Sequence, residues 1–163
     1  MLNFIWAEDL NGTIGYQGTM PWHCHEDMVH FRQLTNGFPV IMGYKTFVSM
    51  GKRALPHRYN YVLTHRHLQQ TNIHPLASID EAQKAIQQSA TDVFVIGGVS
   101  VFEQLLPLAD RLYQTIIEGH YPSDTKMPPL NQQRWHLVEQ NRVRAGRPGE
   151  PNCIFKTWEL ATK

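Results

Sequence analysis

The sequence predicts an α/β fold, a single domain built on a layered sheet with helices laid against it. Three observations carry this prediction. Apolar runs of strand length alternate with segments of helical period along most of the chain. At Val40–Gly43 and again at Val93–Gly98 an apolar run stops at glycine and hands over directly to a helix-like segment. The 163 residues fit one domain better than two, and a domain near this size buries roughly 70% of its unfolded surface.

The elements follow in order. Leu2 to Glu8 is a strand, apolar enough to be covered on both faces. Asp9-Leu10-Asn11-Gly12 is a turn, since Asn-Gly readily supplies positive φ. Gly15 to Pro21 has neither helical nor alternating period and reads as an irregular, mobile loop. From His25 to Thr35 the period becomes helical: Met28, Phe31 and Leu34 recur at helical spacing, with Asp27 on or beside their face. Asn36-Gly37 closes that helix with a left-handed cap. Pro39–Gly43 is a short buried strand, Tyr44–Met50 a short helix ending at Gly51, and Tyr59–Thr64 another strand. Ser78-Ile79-Asp80-Glu81 is a capping box opening a helix from Ile79 to Gln88. Asp92–Ile96 is a strand running into Gly97-Gly98, and a helix follows to about Leu106. Longer strands follow at Arg111–Glu118, Arg134–Arg142 and Cys153–Leu160.

Composition excludes several classes of function. Net charge is +1 with nine histidines, and the basic residues form no long runs, so nucleic acid is not an expected partner. No apolar stretch approaches the roughly 18 residues that span a bilayer. The longest, Val93–Phe102, is interrupted by Gly97-Gly98, so no membrane association is expected. Met1–Phe4 lacks the basic flank of a signal peptide. Cys24 and Cys153 are expected as free thiols in a reducing compartment, hence a cytoplasmic location.

Several groups of residues offer chemistry. Glycine allows close backbone approach, and a helix N-terminus turns unpaired N–H groups toward phosphate oxygens. The junctions Gly43-Tyr44-Lys45-Thr46 and Gly97-Gly98-Val99-Ser100 could therefore bracket the phosphates of a dinucleotide, or simply be turns. Neither matches G-x-G-x-x-G or a Walker motif. Asp27, beside Trp22, Met28 and Phe31, is a carboxylate whose acidity an apolar pocket would weaken into a useful acid–base range. Equally, Glu26 and Asp27 suit the positive end of the helix dipole. Trp22-His23-Cys24-His25-Glu26-Asp27 contains zinc-ligand types but has no distant paired set, so no metal is expected. Thr64-His65-Arg66-His67 gathers donors suited to an additional phosphate, and Arg58 could grip a carboxylate bidentately.

In order and spacing these pieces resemble bacterial dihydrofolate reductases over nearly the whole chain. The resemblance is carried by Ile5-Trp6-Ala7, Ile14-Gly15, Met20-Pro21-Trp22, Asp27 and Phe31, then Pro39 to Thr46. It continues through Leu55-Pro56-His57-Arg58 with Asn60, Ile96-Gly97-Gly98 with Phe102, Thr115, Gly119 and Asp124-Thr125. It implies a twisted, mostly parallel, eight-stranded sheet flanked by helices. It also implies NADPH-dependent reduction of dihydrofolate, binding of antifolate-type inhibitors, and a monomer.

The resemblance distributes roles by position. The pterin would lie over Ile5, Trp6, Ala7, Phe31 and Ile96, held by Asp27, with Thr115 orienting the assembly and Trp22 holding a water. Met28, Met50 and Leu55 would contact the benzoyl group, and Arg58 the α-carboxylate. The nicotinamide would sit by Ala7, Ile14 and Thr19, under a loop including Gly15, Gly18 and Met20. The rest of NADPH would run along Gly43, Tyr44, Lys45, Thr46, Leu63, Thr64, His65 and Arg66, and past Ile96, Gly97, Gly98, Val99, Ser100, Val101, Phe102 and Thr125. Gly97-Gly98 would be a cis peptide. Tyr44 stands where the family usually presents an arginine to the 2′-phosphate, leaving that task to Lys45, His65 and Arg66. Lys52 and Arg53 lie near a one-residue extension before Leu55, which leaves open which of the two meets the substrate tail, and His25 departs from the usual apolar or proline residue beside the acid. Two rivals fit less well. The reductase of riboflavin synthesis should lack the helix carrying Trp22, Asp27 and Phe31, and a silent NADPH-binding module would not need Asp27 or Thr115.

Overall fold

The computed structural model describes residues 1–161. Ten strands and four helices follow one another as β1 (Leu2–Asp9), β2 (Thr13–Gly15), α1 (His25–Thr35), β3 (Val40–Gly43), α2 (Tyr44–Ser49), β4 (Asn60–Leu63) and β5 (Ile73–Leu76). Then come α3 (Ile79–Gln88), β6 (Val93–Gly97), α4 (Val99–Leu105), β7 (Arg111–Ile117), β8 (Thr125–Lys126), β9 (Trp135–Val143) and β10 (Cys153–Leu160). The main sheet has eight strands in the order β5-β4-β3-β6-β1-β7-β10-β9, and β2 pairs only with β8. The expected mostly parallel, eight-stranded α/β architecture is therefore present.

The chain divides into two compact units. The first comprises Met1–Phe4 and Leu34–Ala109. Its strands β5, β4, β3, β6 and the start of β1 are joined by parallel pairings. Val40, Ile41, Met42, Val62, Val93 and Val95 are almost wholly buried, as strands covered on both faces must be. The capping box forms: Ser78 Oγ accepts from Glu81 N–H at 3.1 Å. Glu81 returns its carboxylate to Ala77 N–H at 2.7 Å, one residue before the cap.

The second unit comprises Ile5–Gln33 and the chain from Asp110 onward. Here β7 and β9 flank β10 in antiparallel register. Ala7, Trp22, Cys24, Ile117 and Cys153 form a buried cluster. Both cysteines are free and buried.

One expectation needs correction, and one strand was not foreseen. Gly15 to Pro21 is not irregular throughout: Tyr16 and Thr19 exchange backbone hydrogen bonds at 2.8 and 3.1 Å around Gln17 and Gly18, both at positive φ. That is hairpin-turn chemistry, which favours glycine at the second turn position. The segment opens from β2, a strand too short to show a period. Strand β5 was also unexpected, because Pro75 argues against a strand; at the sheet edge its missing N–H costs no ladder bond. The last predicted helix ends at Leu105, within a residue of the expected end, and a single 3-10 turn follows over Leu106–Leu108.

Candidate active site

In the second unit the chemistry centres on Asp27, third residue of α1. Its spacing from Phe31 is one helical turn, so the two share a face. Burial of the carboxyl pushes its pKa up to about 6, and the Thr115 hydroxyl, donating a hydrogen bond from β7, works in the opposite direction. Thr115 itself is 2% exposed. Trp22 is buried and meets the Tyr121 ring edge-on at 5.5 Å. Ile5 and Ala7 are buried on β1, while Met28 is half exposed. A buried carboxyl able to hold or release a proton near neutrality, with one hydroxyl at hand, suits a flat heterocycle with both donors and acceptors.

Trp6 does not join this surface through its ring. Successive residues of a strand point to opposite faces, so Trp6 faces away from Ile5 and Ala7. Its indole N–H donates to Glu8 Oε1 at 2.9 Å. Gln114 Nε2 donates to the same oxygen at 2.6 Å, and Trp158 Nε1 donates to Gln114 Oε1 at 2.9 Å. Gln114 and Thr115 are neighbours on β7 and likewise diverge. At position 6 only the backbone remains for a ligand on the Asp27 side.

The hairpin carrying Gly15, Gly18, Thr19 and Met20 is tied to the segment at 124–126. Asp124 Oδ2 accepts from Gln17 N–H at 2.8 Å, and Asp124 N–H donates to Gly15 O at 3.2 Å. Thr125 Oγ1 donates to Asp124 Oδ1 at 2.9 Å and stands 3.6 Å from where a Cβ on Gly15 would lie. Ile14 lies in β2, partly buried, and Met20 is half exposed. Behind them Asp9, buried at the end of β1, accepts from Asn11, Thr13 and Tyr121 N–H groups at 2.8–2.9 Å. The sequence places Asp9 in a turn but could not show its third partner, at 121, which is remote in the chain.

In the first unit the two glycine junctions come together. Gly97-Gly98 is a cis peptide. A Cβ on Gly97 would stand 3.1 Å from Thr46 Oγ1, and one on Gly43 would stand 3.1 Å from Val101 Cγ2 and 3.8 Å from Gly98 N. The glycines therefore let two backbone segments and the Thr46 side chain approach more closely than side chains would permit. Val101 and Phe102 are buried behind them, Val99 and Ile96 partly so, whereas Lys45 and Ser100 are exposed. The Arg66 guanidinium lies 4.5 Å above the Tyr44 ring centroid, and Arg66 N–H donates to Thr64 Oγ1 at 3.0 Å. Leu63 is paired opposite Gly43, and His65 is exposed. A basic group poised beside a glycine cradle fits a phosphorylated nucleotide.

The arm after α2 is braced by Asn60. Asn60 Oδ1 accepts from Leu55 N–H at 2.9 Å, and Nδ2 donates to the Leu55 and Arg58 carbonyls at 3.0 and 2.9 Å. Arg58 donates to Pro56 O and Thr35 Oγ1, both at 2.9 Å, which fixes the plane of its guanidinium. Met50 and Leu55 are partly buried, and Lys52 and Arg53 exposed. Among the described residues no three His, Cys, Asp or Glu side chains gather as a metal set. No helix among them is long and apolar enough to cross a membrane.

Comparisons with known proteins point to one family. The family model for dihydrofolate reductase matches residues 1–160. A curated dihydrofolate reductase of Haemophilus influenzae is 37% identical over 153 residues, covering 94% of each chain. One from Enterococcus faecium is 32% identical over 161 residues, covering 98% of this chain and 96% of the relative. The solved dihydrofolate reductase from Enterococcus faecalis, complexed with NADP(H) and RAB-propyl, superposes with a TM-score of 0.93 at 29% identity. That match covers 99% of this chain and 97% of the other.

Proposed function

The chain belongs to the dihydrofolate reductase family, and from that premise we propose that it moves hydride to C6 of 7,8-dihydrofolate while N5 takes up a proton. The enzyme is an NADP-dependent oxidoreductase, and NADPH supplies the hydride when bound. Dihydrofolate, NADPH and one proton give tetrahydrofolate and NADP⁺. The product would serve one-carbon metabolism, and we place the enzyme in the cytoplasm as a monomer.

The observation that carries the reading is the Asp27 carboxyl, lifted to a pKa of about 6 and facing the Thr115 hydroxyl. In our reading Asp27 accepts hydrogen bonds from the amino and ring nitrogens of the pterin, and Thr115 keeps the carboxyl oriented. Within the second unit Ile5, Ala7 and Phe31 exclude water from the ring and Met28 takes the benzoyl group; within the first, the resemblance gives Arg58 the α-carboxylate. Gly43, Thr46, Gly97 and Gly98 form the cradle that admits the pyrophosphate, and Arg66 on Tyr44 meets the 2′-phosphate. The hairpin from Gly15 to Met20 covers the nicotinamide and keeps water from the reacting atoms. On the resemblance, Asp27 lies across the ring from N5, so it favours N5 protonation through its field and an ordered water.

The test is direct. Mixing the purified protein with NADPH and dihydrofolate should consume NADPH absorbance, with one tetrahydrofolate formed per NADPH. No loss of absorbance with either NADPH or NADH would remove the reading.

A further inference from the structure

The helix that carries Asp27 begins on a weak cap of its own, the Cys24 sulfur accepting from Asp27 N–H. Its first residue is His25, so Cys24 takes the cap position, and cysteine is outside the Ser, Thr, Asp and Asn set that normally caps helices. A helix start leaves several backbone N–H groups without partners, and α1 takes a second acceptor from the far end of the chain. Glu150, on the segment between β9 and β10, accepts from His25 N–H with Oε1 at 2.8 Å. Its Oε2 meets His23 Nδ1 at 2.9 Å. The Glu150 side chain is only 13% exposed, whereas His23 is 66% exposed, so the buried end of this contact belongs to the helix.

The clasp is not a single bond. Gly146 N–H donates to Glu26 Oε1 at 2.6 Å, and the Cys24 thiol donates to the Pro151 carbonyl at 3.8 Å. The segment is braced internally, with Ala145 N–H donating to Asn152 Oδ1 at 2.8 Å and Gly149 turning at φ +80°. Glu150 also places a negative charge at the positive end of the helix dipole. Asp27 is two residues beyond the N–H that Glu150 caps, within the same first turn.

We propose that Glu150 is a positioning residue for Asp27, holding the first turn of α1 at the depth that keeps the acid from water. The inference rests on the reading of Asp27 as the proton-handling carboxyl. The groups facing Asp27 are the Thr115 hydroxyl and the Cys24 and Cys153 thiols. Those facing Glu150 are His23, His25 N–H, Arg147 and the like-charged Glu26. Without the cap the turn frays, water reaches the carboxyl, and its acidity returns toward that of an ordinary aspartate.

Glu150→Ala should therefore move the pH profile of single-turnover hydride transfer to lower pH by about half to one unit, which is roughly a 3–10-fold loss of rate at neutral pH. The rate on the acid plateau and the dissociation constant for NADPH should stay as in the parent. Glu150→Gln keeps an acceptor for His25 N–H and should recover most of the neutral rate. Where the alanine variant does not fold, Glu150→Asp carries the same test, with the same direction of shift. His23→Ala removes only the exposed partner and should leave the profile in place. A Glu150→Ala profile that superimposes on the parent's, whatever its melting temperature, overturns the proposal, as does a glutamine variant no better than alanine. Failure of the underlying reading looks different: the parent's own profile would then be unaffected by Asp27→Asn.

Discussion

The Thr115 hydroxyl donates to the Asp27 carboxylate while burial drives the same group toward its neutral form. The two influences oppose each other on one acid, and burial is the larger. This places the group at about 6, inside the range where an acid can exchange protons near neutrality.

Thr115→Val removes the smaller influence and leaves the larger. The Asp27 pKa should then rise further, so the pH profile of hydride transfer should shift upward. Dihydrofolate affinity should fall by about 1.5–3 kcal/mol, the scale of a hydrogen bond to a charged group. A profile that stays in place while affinity falls would show that the hydroxyl serves the ligand alone.

Asp9 behaves in the opposite sense. Burial alone would raise its pKa, but the N–H groups of Thr13, Asn11 and Tyr121 outweigh it and hold the acid below the ordinary range. An acid with a lowered folded value adds stability above its unfolded pKa, near 3.9, and loses it as pH falls through the folded value. Asp9→Asn should thus melt below the parent at pH 7, and the gap should close below about pH 4. A gap of constant size across that range would assign the loss to packing.

Local signals were legible in the sequence, and long-range ones were not. The helix His25–Thr35 has the expected bounds because its period lies within the segment, and the capping-box helix Ile79–Gln88 because both its period and its N-terminal cap do. Strands β2 and β8, of three and two residues, exist only because they pair with each other across more than a hundred residues of chain. The same is true of Asp124 on Gln17 and Glu150 on His25, where one carboxylate organises backbone far away in sequence. The orientation of Trp6 was legible but unread: three successive strand residues cannot all present side chains to one face.

Tyr44 supplies a platform in place of a charge, since Arg66 stacks 4.5 Å over its ring. Arg66→Ala should weaken NADPH by about 1.5–3 kcal/mol and leave NADH nearly unchanged. Tyr44→Leu should lose a smaller part of the same preference, about 0.5–1 kcal/mol, as an exposed cation–π contact is lost. Titrations of both cofactors decide it; equal weakening of NADPH and NADH would sink the assignment.

Arg58 is oriented by its hydrogen bonds to Thr35 and Pro56. Its grip on a remote carboxylate is common to ground and transition states, so Arg58→Leu should raise KM far more than it lowers kcat. Pterin analogues without the glutamate tail should bind the variant and the parent alike. Should those analogues lose as much affinity as dihydrofolate, Arg58 is supporting the arm through Thr35 instead.

Asp27→Asn separates charge from shape. The amide keeps the size and some hydrogen bonding but cannot ionise. Acid–base assistance is typically worth about 10²–10⁴-fold, so hydride transfer at neutral pH should fall by that order. As pH drops, solvent protonates the substrate without help, and the variant's rate should climb toward the parent's. Stability should move the other way. A carboxyl whose folded pKa is raised to about 6 penalises the fold once pH forces it to ionise, an effect absent at low pH and complete above that value. The asparagine variant should therefore melt above the parent at pH 8, in the absence of ligand, and lose that advantage toward pH 4. NADPH affinity should be unchanged. A deficit in hydride transfer that is constant with pH would mean that Asp27 only positions the ring, and the proton-handling role would be withdrawn.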